Sequence, residues 1–335
     1  MNEESVLYKP FTLKAALELT SPPSWVASIG PCVIAGALAV CCALLHATTS
    51  SDAEAGAFAQ MAVVLDFRSV LCWGFMMACA ILLQSAVNTM NDYEDFKSGL
   101  DTAETILDET DASIVYNQIN PKHALMFAMA LLAQASVLGI CVVLLSSPVL
   151  IIWAIIAAAA IGLYSSGPKP ISSLPLGEVV SGTVLGGILM CVTFYAMTVS
   201  FSPIVLLLAA VPTVSIAQIM LTNNTCDIER DIVAGRRTLP GIIGEQRSAV
   251  INAVMSFVAF ALFAVVLVWA GLYIGLVVLA VGLTLCFPKI RTLLKGPYNL
   301  ENRRVMMGTV ITYNKWLANT IVFALLLGGV AHALI

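Results

Sequence analysis

Residues 69–101 read SVLCWGFMMACAILLQSAVNTMNDYEDFKSGLD. The first part, Ser69–Asn88, contains no Asp, Glu, Lys or Arg. About 20 such residues are what an α-helix needs to cross a hydrocarbon core about 30 Å thick. The last part carries the acidic residues Asp92, Glu94, Asp95 and Asp101. The stretch therefore predicts a membrane-spanning helix that ends in an acidic tip.

The composition of the whole chain agrees with this interpretation. Of 335 residues, 59% are hydrophobic and 11% charged, and the mean hydropathy is +0.94, whereas roughly a quarter of a soluble domain is charged. We therefore predict one all-α integral membrane domain, residues 1–335, rather than a soluble protein. Charge-free windows predict nine transmembrane helices, the eighth of them short, near Ser24–Ala47, Ser69–Asn88, His123–Leu145, Pro148–Ser166, Val179–Ser200, Ile204–Thr222, Ser248–Ala270, Leu272–Phe287 and Trp316–Leu334.

The basic residues test this count and predict the orientation. With nine helices, fifteen of the sixteen Lys and Arg residues fall on one side of the membrane and only Arg68 falls on the other. The positive-inside rule then places the N-terminus in the cytoplasm and the C-terminus outside a cell membrane. Residues 1–23 become a cytoplasmic N-terminal segment, and 89–122 and 223–247 become cytoplasmic loops, which are the candidates for a functional site.

The cysteines predict neither disulfides nor a zinc site. The nine lie almost wholly inside apolar runs, without a CxxC pair or histidines at metal spacing, so we interpret them as small core residues. The N-terminus has no basic segment leading into a short apolar run, so no cleaved signal peptide is expected.

The tip after the second helix has a regular pattern. If the helix continues, Asn88, Asn91, Asp92 and Asp95 occupy positions i, i+3, i+4 and i+7, which share one face. A glycine at Gly99 permits a turn. Asp101 can then fold back toward that face from a loop.

A second tip follows the sixth helix, where residues 223–237 read NNTCDIERDIVAGRR. Asn223, Asp227 and Asp231 are spaced i, i+4 and i+8 and form another stripe. After Gly235, which can end the helix, come Arg236 and Arg237.

The two tips predict a site for a metal-bound diphosphate. Stacked carboxylates repel one another, and the penalty grows at a membrane boundary, so a cation should offset it. Carboxylate and amide oxygens suit Mg²⁺, which commonly shares its coordination with phosphate oxygens, and arginines bind phosphate by forked hydrogen bonds. The alternative is that each tip is only a solvated helix end. For the acidic residues of segment 104–111, which form no stripe, we favour a solvated loop.

At this point the residues resemble a known family. The patterns Asn88-x-x-Asn91-Asp92-Tyr93-x-Asp95-x-x-x-Gly99-x-Asp101 and Asn223-Asn224-x-x-Asp227-Ile228-x-x-Asp231-x-x-x-Gly235-x-Arg237 resemble the two aspartate-rich motifs of the UbiA superfamily of intramembrane prenyltransferases. Together with Tyr164-Ser-Ser-Gly-Pro-Lys169 and Leu176-Gly177-Glu178, they look most like the 1,4-dihydroxy-2-naphthoate polyprenyltransferases of menaquinone synthesis (MenA type).

The resemblance implies a fold and a reaction. The fold is a bundle of about nine helices around a central cavity open to the cytoplasmic side. The reaction is Mg²⁺-dependent transfer of a polyprenyl chain from polyprenyl diphosphate to dihydroxynaphthoate, with loss of CO₂ and diphosphate, giving demethylmenaquinone. The implied partners are these two substrates and the lipid bilayer, and no nucleic acid.

The resemblance and the stripes together assign candidate residues. The expected metal ligands are Asp92, Asp95, Asp101, Asp227, Asp231, Asn88 and Asn223. The expected substrate-binding residues are Asn88, Asn91, Asp101, Lys97, Lys169, Asn223, Asn224, Arg236 and Arg237. Tyr164 would face the allylic cation or hydrogen-bond the substrate, or would only be an interfacial tyrosine. We expect Glu178 to cap the fifth helix, and the prenyl chain to leave beside Gly182, Gly186 and Gly187.

Other functions remain open at this point. A UbiA-type enzyme could act on another aromatic acceptor, such as 4-hydroxybenzoate, haem or another naphthoate. An ion-coupled transporter would predict charges near helix midpoints, but the charge-free windows have none. A CDP-alcohol phosphotransferase would need a DGxxAR run, which the sequence lacks.

Overall fold

The computed structural model describes residues 8–48, 57–99, 101, 112–165 and 170–334. Helices dominate these residues, and no strand occurs among them. We number the apolar helices α1 Val26–Thr48, α2 Phe67–Ser98, α3 Pro121–Leu145, α4 Leu150–Ser165, α5 Gly177–Thr198, α6 Pro203–Cys226, α7 Glu245–Trp269, α8 Tyr273–Lys295 and α9 Arg303–Leu334. Helix α5 contains a π-helical segment, Gly182–Ile188.

The predicted all-α membrane fold is confirmed. In the described part of the chain, eight helices are long and apolar enough to cross a membrane, and α4 is a shorter apolar helix. The expectation that the eighth helix would be the short one was wrong, because α8 has 23 residues and α4 has 16. Helix α9 begins thirteen residues before its predicted start and has 32 residues.

Helix α2 reaches the first acidic tip without a break. Asp66 caps its start, with Oδ1 accepting a hydrogen bond from the Ser69 backbone N–H at 2.8 Å, and the helix ends at Gly99, whose φ of 75° is left-handed. A glycine adopts this conformation without steric cost. The predicted turn at Gly99 is therefore confirmed, and the first part of segment 89–122 is helical rather than a loop.

The second tip is almost as regular. Helix α6 ends at Cys226, and a short helix, Ile228–Val233, follows Asp227. The i to i−4 backbone hydrogen bonds continue through this junction, from Asp227 to Asn223 at 3.1 Å and from Asp231 to Asp227 at 2.8 Å. Gly235 then has a φ of 71°. The predicted stripe persists through a small irregularity, so segment 223–247 also begins as helix.

The core lies among α1, α5, α6, α7 and α9. Helix α1 packs against α2, α5 and α9, and α6 packs against α5, α7 and α9, while α3 covers the outer face of α2. Leu38, Phe194, Leu208, Phe263 and Tyr313 are fully buried between these helices. Large apolar side chains elsewhere, such as Leu144 and Val277, are exposed on the outside of the bundle, as expected for a surface that faces lipid.

Helices α5 and α6 approach each other through glycines. A Cβ atom at Gly182 would lie 2.4 Å from the carbonyl oxygen of Thr213, and one at Gly186 would lie 2.4 Å from that of Pro212. Small residues permit such close backbone contact in membranes. The prenyl chain therefore cannot pass between α5 and α6 at these glycines, because α6 fills this space, and a sideways exit elsewhere between Gly- and Ala-rich helices stays a prediction.

A buried polar cluster joins α6 to α7. The Gln218 side-chain amide donates to the Asn252 carbonyl oxygen at 2.7 Å and to Ser256 Oγ at 2.8 Å, and the Asn252 amide donates to Thr222 Oγ1 at 2.7 Å. All four residues have no exposed surface. Hydrogen bonds between membrane helices hold them in one register.

The opposite end of the bundle contains Arg68. Its guanidinium donates to the carbonyl oxygens of Leu145 at the end of α3 and Met197 near the end of α5, both at 3.3 Å. These helix ends lie away from the acidic tips. Arg68 is therefore at the opposite end of the bundle from the tips, in agreement with its predicted position on the other side of the membrane. The nine cysteines are free thiols, and seven of them are buried.

The N-terminal segment packs against the residues that lead from the first acidic tip into α3. A short helix, Leu13–Leu19, packs with Ile114, Ile119 and Ala124. A cavity of about 360 Å³ lies beside this helix, lined by Leu13, Leu17 and Pro22 among others. A space of about 10 Å³ lies between α1, α6 and α9. Neither lies between the tips, so the central cavity stays a prediction.

Candidate active site

The two acidic tips meet at Arg236. Its Nη2 lies 3.9 Å from Asp95 Oδ1 on the first tip, and its Nη1 lies 3.5 Å from Asp231 Oδ1 on the second. Asp95 and Arg236 are partly buried and Asp231 is buried. One guanidinium therefore contacts a carboxylate from each tip, which places the tips side by side.

Asp101 makes a second connection between the tips. Its backbone N–H donates to the Asp95 carbonyl oxygen at 3.3 Å, so the chain folds back after Gly99 as predicted. The Asp101 carboxylate is buried and forms a close ion pair with Arg230 of the second tip.

Asp227 contacts a residue from α9. Arg303, the first residue of that helix, lies with its Nε 2.9 Å from Asp227 Oδ1 and donates from Nη2 to Asn223 Oδ1 at 2.8 Å. The Asn223 amide in turn donates to Asp227 Oδ2 at 3.2 Å. The stripe on the second tip is thus held by an arginine that is distant in sequence.

Asn88 connects the first tip to the N-terminal segment. Its side-chain NH₂ donates to the Thr20 carbonyl oxygen and to Ser24 Oγ, both at 2.9 Å. Both donors are therefore used, and its Oδ1 is the atom suited to a metal or a substrate donor. Asn91 and Asp92 follow on the same helix and are partly buried.

Glu178 lies in the first turn of α5, where it was expected to cap the helix, and its carboxylate also contacts the second tip. It is 4% exposed, and its Oε1 accepts a hydrogen bond from the Asn224 amide at 2.8 Å. The carboxylate is thus buried between α5 and α6, against Asn224 of the second tip. Tyr164 lies in electrostatic range of Glu178 and Arg236 and donates to Met220 Sδ at 3.5 Å.

Two predicted substrate-binding residues do not join this group. Lys97 is exposed and forms an ion pair with Glu94 at 4.0 Å. Arg237 is also exposed, and its backbone N–H donates to the Ser173 carbonyl oxygen at 2.9 Å. Lys169 lies outside the described residues, as does the acidic segment 104–111.

The electrostatics of the second tip favour binding of a cationic partner. Burial raises the pKa of Asp231, and nearby Arg236 and a hydrogen bond from Thr238 only partly offset this effect. Desolvation disfavours the ionised carboxylate. A cation that contacts Asp231 would recover this cost.

The side chains present fit a magnesium ion shared with a substrate. The predicted ligands are carboxylate and carboxamide oxygens, the hard ligands that Mg²⁺ prefers, usually as one or two carboxylates plus water and phosphate oxygens. Among the described residues, no three His, Cys, Asp or Glu side chains converge as a complete metal site.

The sequence analysis missed three contributors to this site. Arg303 and Arg230 were counted only as basic residues that indicate topology, and Glu178 was interpreted as a cap. The i, i+3 spacing of Asp227 and Arg230 did not predict that Arg230 pairs with Asp101, because that contact is between the tips. No local signal distinguished Arg303 from its neighbour Arg304.

A model of the UbiA prenyltransferase family matches residues 53–308. The 1,4-dihydroxy-2-naphthoate octaprenyltransferase of Bacillus subtilis (strain 168) is 32% identical over 203 residues, which cover 61% of this chain and 61% of that protein. The chain therefore matches only about three fifths of that relative's length.

Other relatives carry different names. UbiA prenyltransferase domain-containing protein 1 of Danio rerio is 27% identical over 72% of this chain and 74% of that protein. Digeranylgeranylglyceryl phosphate synthase of Natronomonas pharaonis is 30% identical over 53% of this chain and 60% of that protein.

Solved structures share the fold. A UbiA homolog from Archaeoglobus fulgidus bound to GPP and Mg²⁺ matches with a TM-score of 0.58 and 15% identity, covering 91% of this chain and 99% of that one. At this identity the likeness concerns the arrangement of helices alone.

Proposed function

Because the chain belongs to the UbiA prenyltransferase family, we propose that it transfers a polyprenyl group from polyprenyl diphosphate to 1,4-dihydroxy-2-naphthoate at the two acidic tips. The observation that carries this proposal is the position of Arg236 between Asp95 and Asp231. It brings carboxylates from both tips and a guanidinium group into one place, which is the combination that a metal diphosphate requires.

The diphosphate would be bound by arginines and by metal. Arg236, Arg230 and Arg303 already contact the acidic residues of the tips, and their N–H groups suit phosphate oxygens. Asp92, Asp95, Asp101, Asp227 and Asp231, with Asn88 and Asn223, would hold Mg²⁺. When bound, Mg²⁺ supplies Lewis-acid neutralisation of the diphosphate charge.

The residues of the site would then favour ionisation of the prenyl diphosphate and attack of the aromatic acceptor on the resulting allylic cation. The allylic C–O bond breaks and its electron pair leaves on the diphosphate, where the arginines stabilise the charge. The aromatic carbon that bears the carboxylate forms the new C–C bond. The carboxylate leaves as CO₂, and its bonding pair restores the aromatic ring, which gives a dihydroxy product, the reduced form of demethylmenaquinone. The surrounding apolar helices exclude water from the cation.

The acceptor is the finer part of the proposal. It is supported by the name of the Bacillus subtilis relative and by the resemblance of Tyr164 and its following residues to that branch. A different acceptor is the second candidate, because a relative of similar identity is named digeranylgeranylglyceryl phosphate synthase. The orientation, with the tips at the cytoplasmic side of a cell membrane, is supported by the distribution of basic residues.

The test uses membranes that contain the full chain. They are incubated with a radiolabelled polyprenyl diphosphate and either 1,4-dihydroxy-2-naphthoate, 4-hydroxybenzoate or glycerol-based phosphate acceptors, with Mg²⁺ or with EDTA. We expect a prenylated, decarboxylated naphthalene that depends on Mg²⁺. A product formed only with another acceptor would reject the branch and retain prenyl transfer.

Two variants test the site. Asp92→Ala and Asp227→Ala should lower product formation by about 100-fold or more, since each removes an anionic ligand from a charged site. Glu229→Gln is the control, because Glu229 is exposed on the same tip. Full activity in either alanine variant would reject the assigned site.

A further inference from the structure

Glu178 is a buried carboxylate with one oxygen in use. Its Oε1 accepts the Asn224 hydrogen bond at 2.8 Å. Its Oε2 is also buried and has no hydrogen-bond partner among the described residues. A buried acceptor without a donor costs free energy that a fold normally avoids, so this oxygen calls for a partner.

The surroundings of Glu178 belong to the site. Asn224 is the neighbour of Asn223, which contacts Asp227 and Arg303. Tyr164 and Asp231 are near enough to interact electrostatically with Glu178. The Tyr164 hydroxyl is also close to the start of α5, because a Cβ atom at Gly177 would lie 3.8 Å from it. Glu178 therefore lies between the second tip and the end of α4, inside the apolar bundle.

The chemistry of Oε2 selects the kind of partner. A carboxylate oxygen accepts hydrogen bonds and repels other anions, which excludes the diphosphate of one substrate and the carboxylate of the other. The prenyl chain has no donor. The remaining donor in the proposed reaction is a ring hydroxyl of the acceptor.

Resting on the proposed function, we propose that Glu178 Oε2 binds a ring hydroxyl of the aromatic acceptor and so positions the ring beside the second tip. This hydrogen bond is charge-assisted, and it strengthens as the attacking ring becomes positive. No net proton transfer is needed, because loss of CO₂ returns the bonding pair to the ring. Asn224 holds the carboxylate in place.

The test measures acceptor binding, because a hydroxyl also changes the reactivity of the ring. Full-length protein in lipid nanodiscs, with Mg²⁺ and inorganic diphosphate, is titrated with 1,4-dihydroxy-2-naphthoate, 1-hydroxy-2-naphthoate and 4-hydroxy-2-naphthoate, followed by naphthoate fluorescence. Removing the bound hydroxyl should weaken binding to the wild type by about 10- to 100-fold. In Glu178→Gln, binding of the dihydroxy acceptor should fall by a similar factor, and removing that hydroxyl should cost little more.

Controls separate this role from a structural one. Glu178→Gln keeps the Asn224 contact, so the KM for polyprenyl diphosphate and the Mg²⁺ requirement should stay within about threefold of the wild type. Glu229→Gln should bind all three naphthoates like the wild type. Equal weakening of all three in Glu178→Gln, or a raised Mg²⁺ requirement, would overturn the inference. An inactive wild type would instead reject the proposed function.

Discussion

Arg303 Nε lies 2.9 Å from Asp227 Oδ1, although the two residues are 76 positions apart in the chain. The first residue of α9 thereby touches the second acidic tip at the end of α6. The same guanidinium also donates to Asn223 at 2.8 Å. The site therefore depends on where α9 begins as well as on the two motifs.

Replacing Arg303 should impair prenyl transfer. Arg303→Ala removes a guanidinium from Asp227 and Asn223, so we expect kcat/KM for polyprenyl diphosphate to fall by about 100-fold, and Arg303→Lys should recover only part of it because lysine lacks the planar fork. The adjacent Arg304 is exposed, and Arg304→Ala should keep normal activity. Equal rates in the two alanine variants would contradict this assignment.

Arg236 should be coupled to both tips. Arg236→Ala and Asp95→Asn should each lower kcat/KM, and the double variant should lose less than the sum of the two free-energy changes, because the residues contact each other. Arg237 is exposed, so Arg237→Ala should cost less than Arg236→Ala. Strict additivity between Arg236 and Asp95, measured with the same prenyl donor, is the contrary result.

The buried ion pair between Asp101 and Arg230 should matter for stability. Asp101→Ala leaves the Arg230 charge partly buried, which typically costs about 3 kcal/mol. Glu94→Ala is the matched control, because its ion pair with Lys97 is exposed and such pairs contribute about 1 kcal/mol or less. Reversible unfolding in detergent should separate the two variants, and similar curves would argue against a buried pair.

The glycine contact between α5 and α6 should not accept a side chain. A Cβ at Gly186 would lie 2.4 Å from the Pro212 carbonyl oxygen, so Gly186→Ala should destabilise the protein by about 1–3 kcal/mol. A Cβ at Gly139 on α3 has no neighbour within 4 Å, and Gly139→Ala should be neutral or slightly stabilising. Thermal unfolding measures the stability of both variants. If Gly186→Ala is as stable as the wild type, a passage for the prenyl chain between α5 and α6 would again be possible.

The polar cluster between α6 and α7 should contribute modestly. Gln218→Leu removes the donor to Asn252 and Ser256, and interhelical hydrogen bonds in membranes contribute about 0.6 kcal/mol on average. The change in unfolding free energy should therefore be near 1 kcal/mol. Thr284→Ala, at an exposed position whose hydroxyl contacts its own helix, should produce no measurable change.

The helices could be predicted from the sequence because hydropathy depends only on local composition. The windows at Ser69–Asn88 and Ile204–Thr222 fell inside α2 and α6. The predicted start of α9 at Trp316 was wrong because Lys315 closed the charge-free window. A helix can continue past the edge of the bilayer, and charge is no obstacle to it there.

The face of each tip could be predicted as well, since helical spacing determines which side chains align. The pairing of Arg303 with Asp227 could not, because it depends on how the start of α9 packs beside α6. The contact of Glu178 with Asn224 could not be predicted either, because it also depends on the packing of two helices. A glutamate in the first turn usually interacts with the helix N-terminus, but here Asn224 on α6 lies within reach.

The length of α2 has a consequence for how a lipid-like donor would be handled. Its 32 residues span about 48 Å, whereas the hydrocarbon layer is about 30 Å thick. Asn88 lies about 32 Å from the start of the helix by the same rise per residue, so an upright α2 that starts at one edge of the hydrocarbon would carry the acidic residues beyond Asn88 into the opposite headgroup layer. An isoprenoid diphosphate could then keep its tail dissolved among the acyl chains while its charged head reacts. Desorption from the bilayer would form no part of the catalytic cycle.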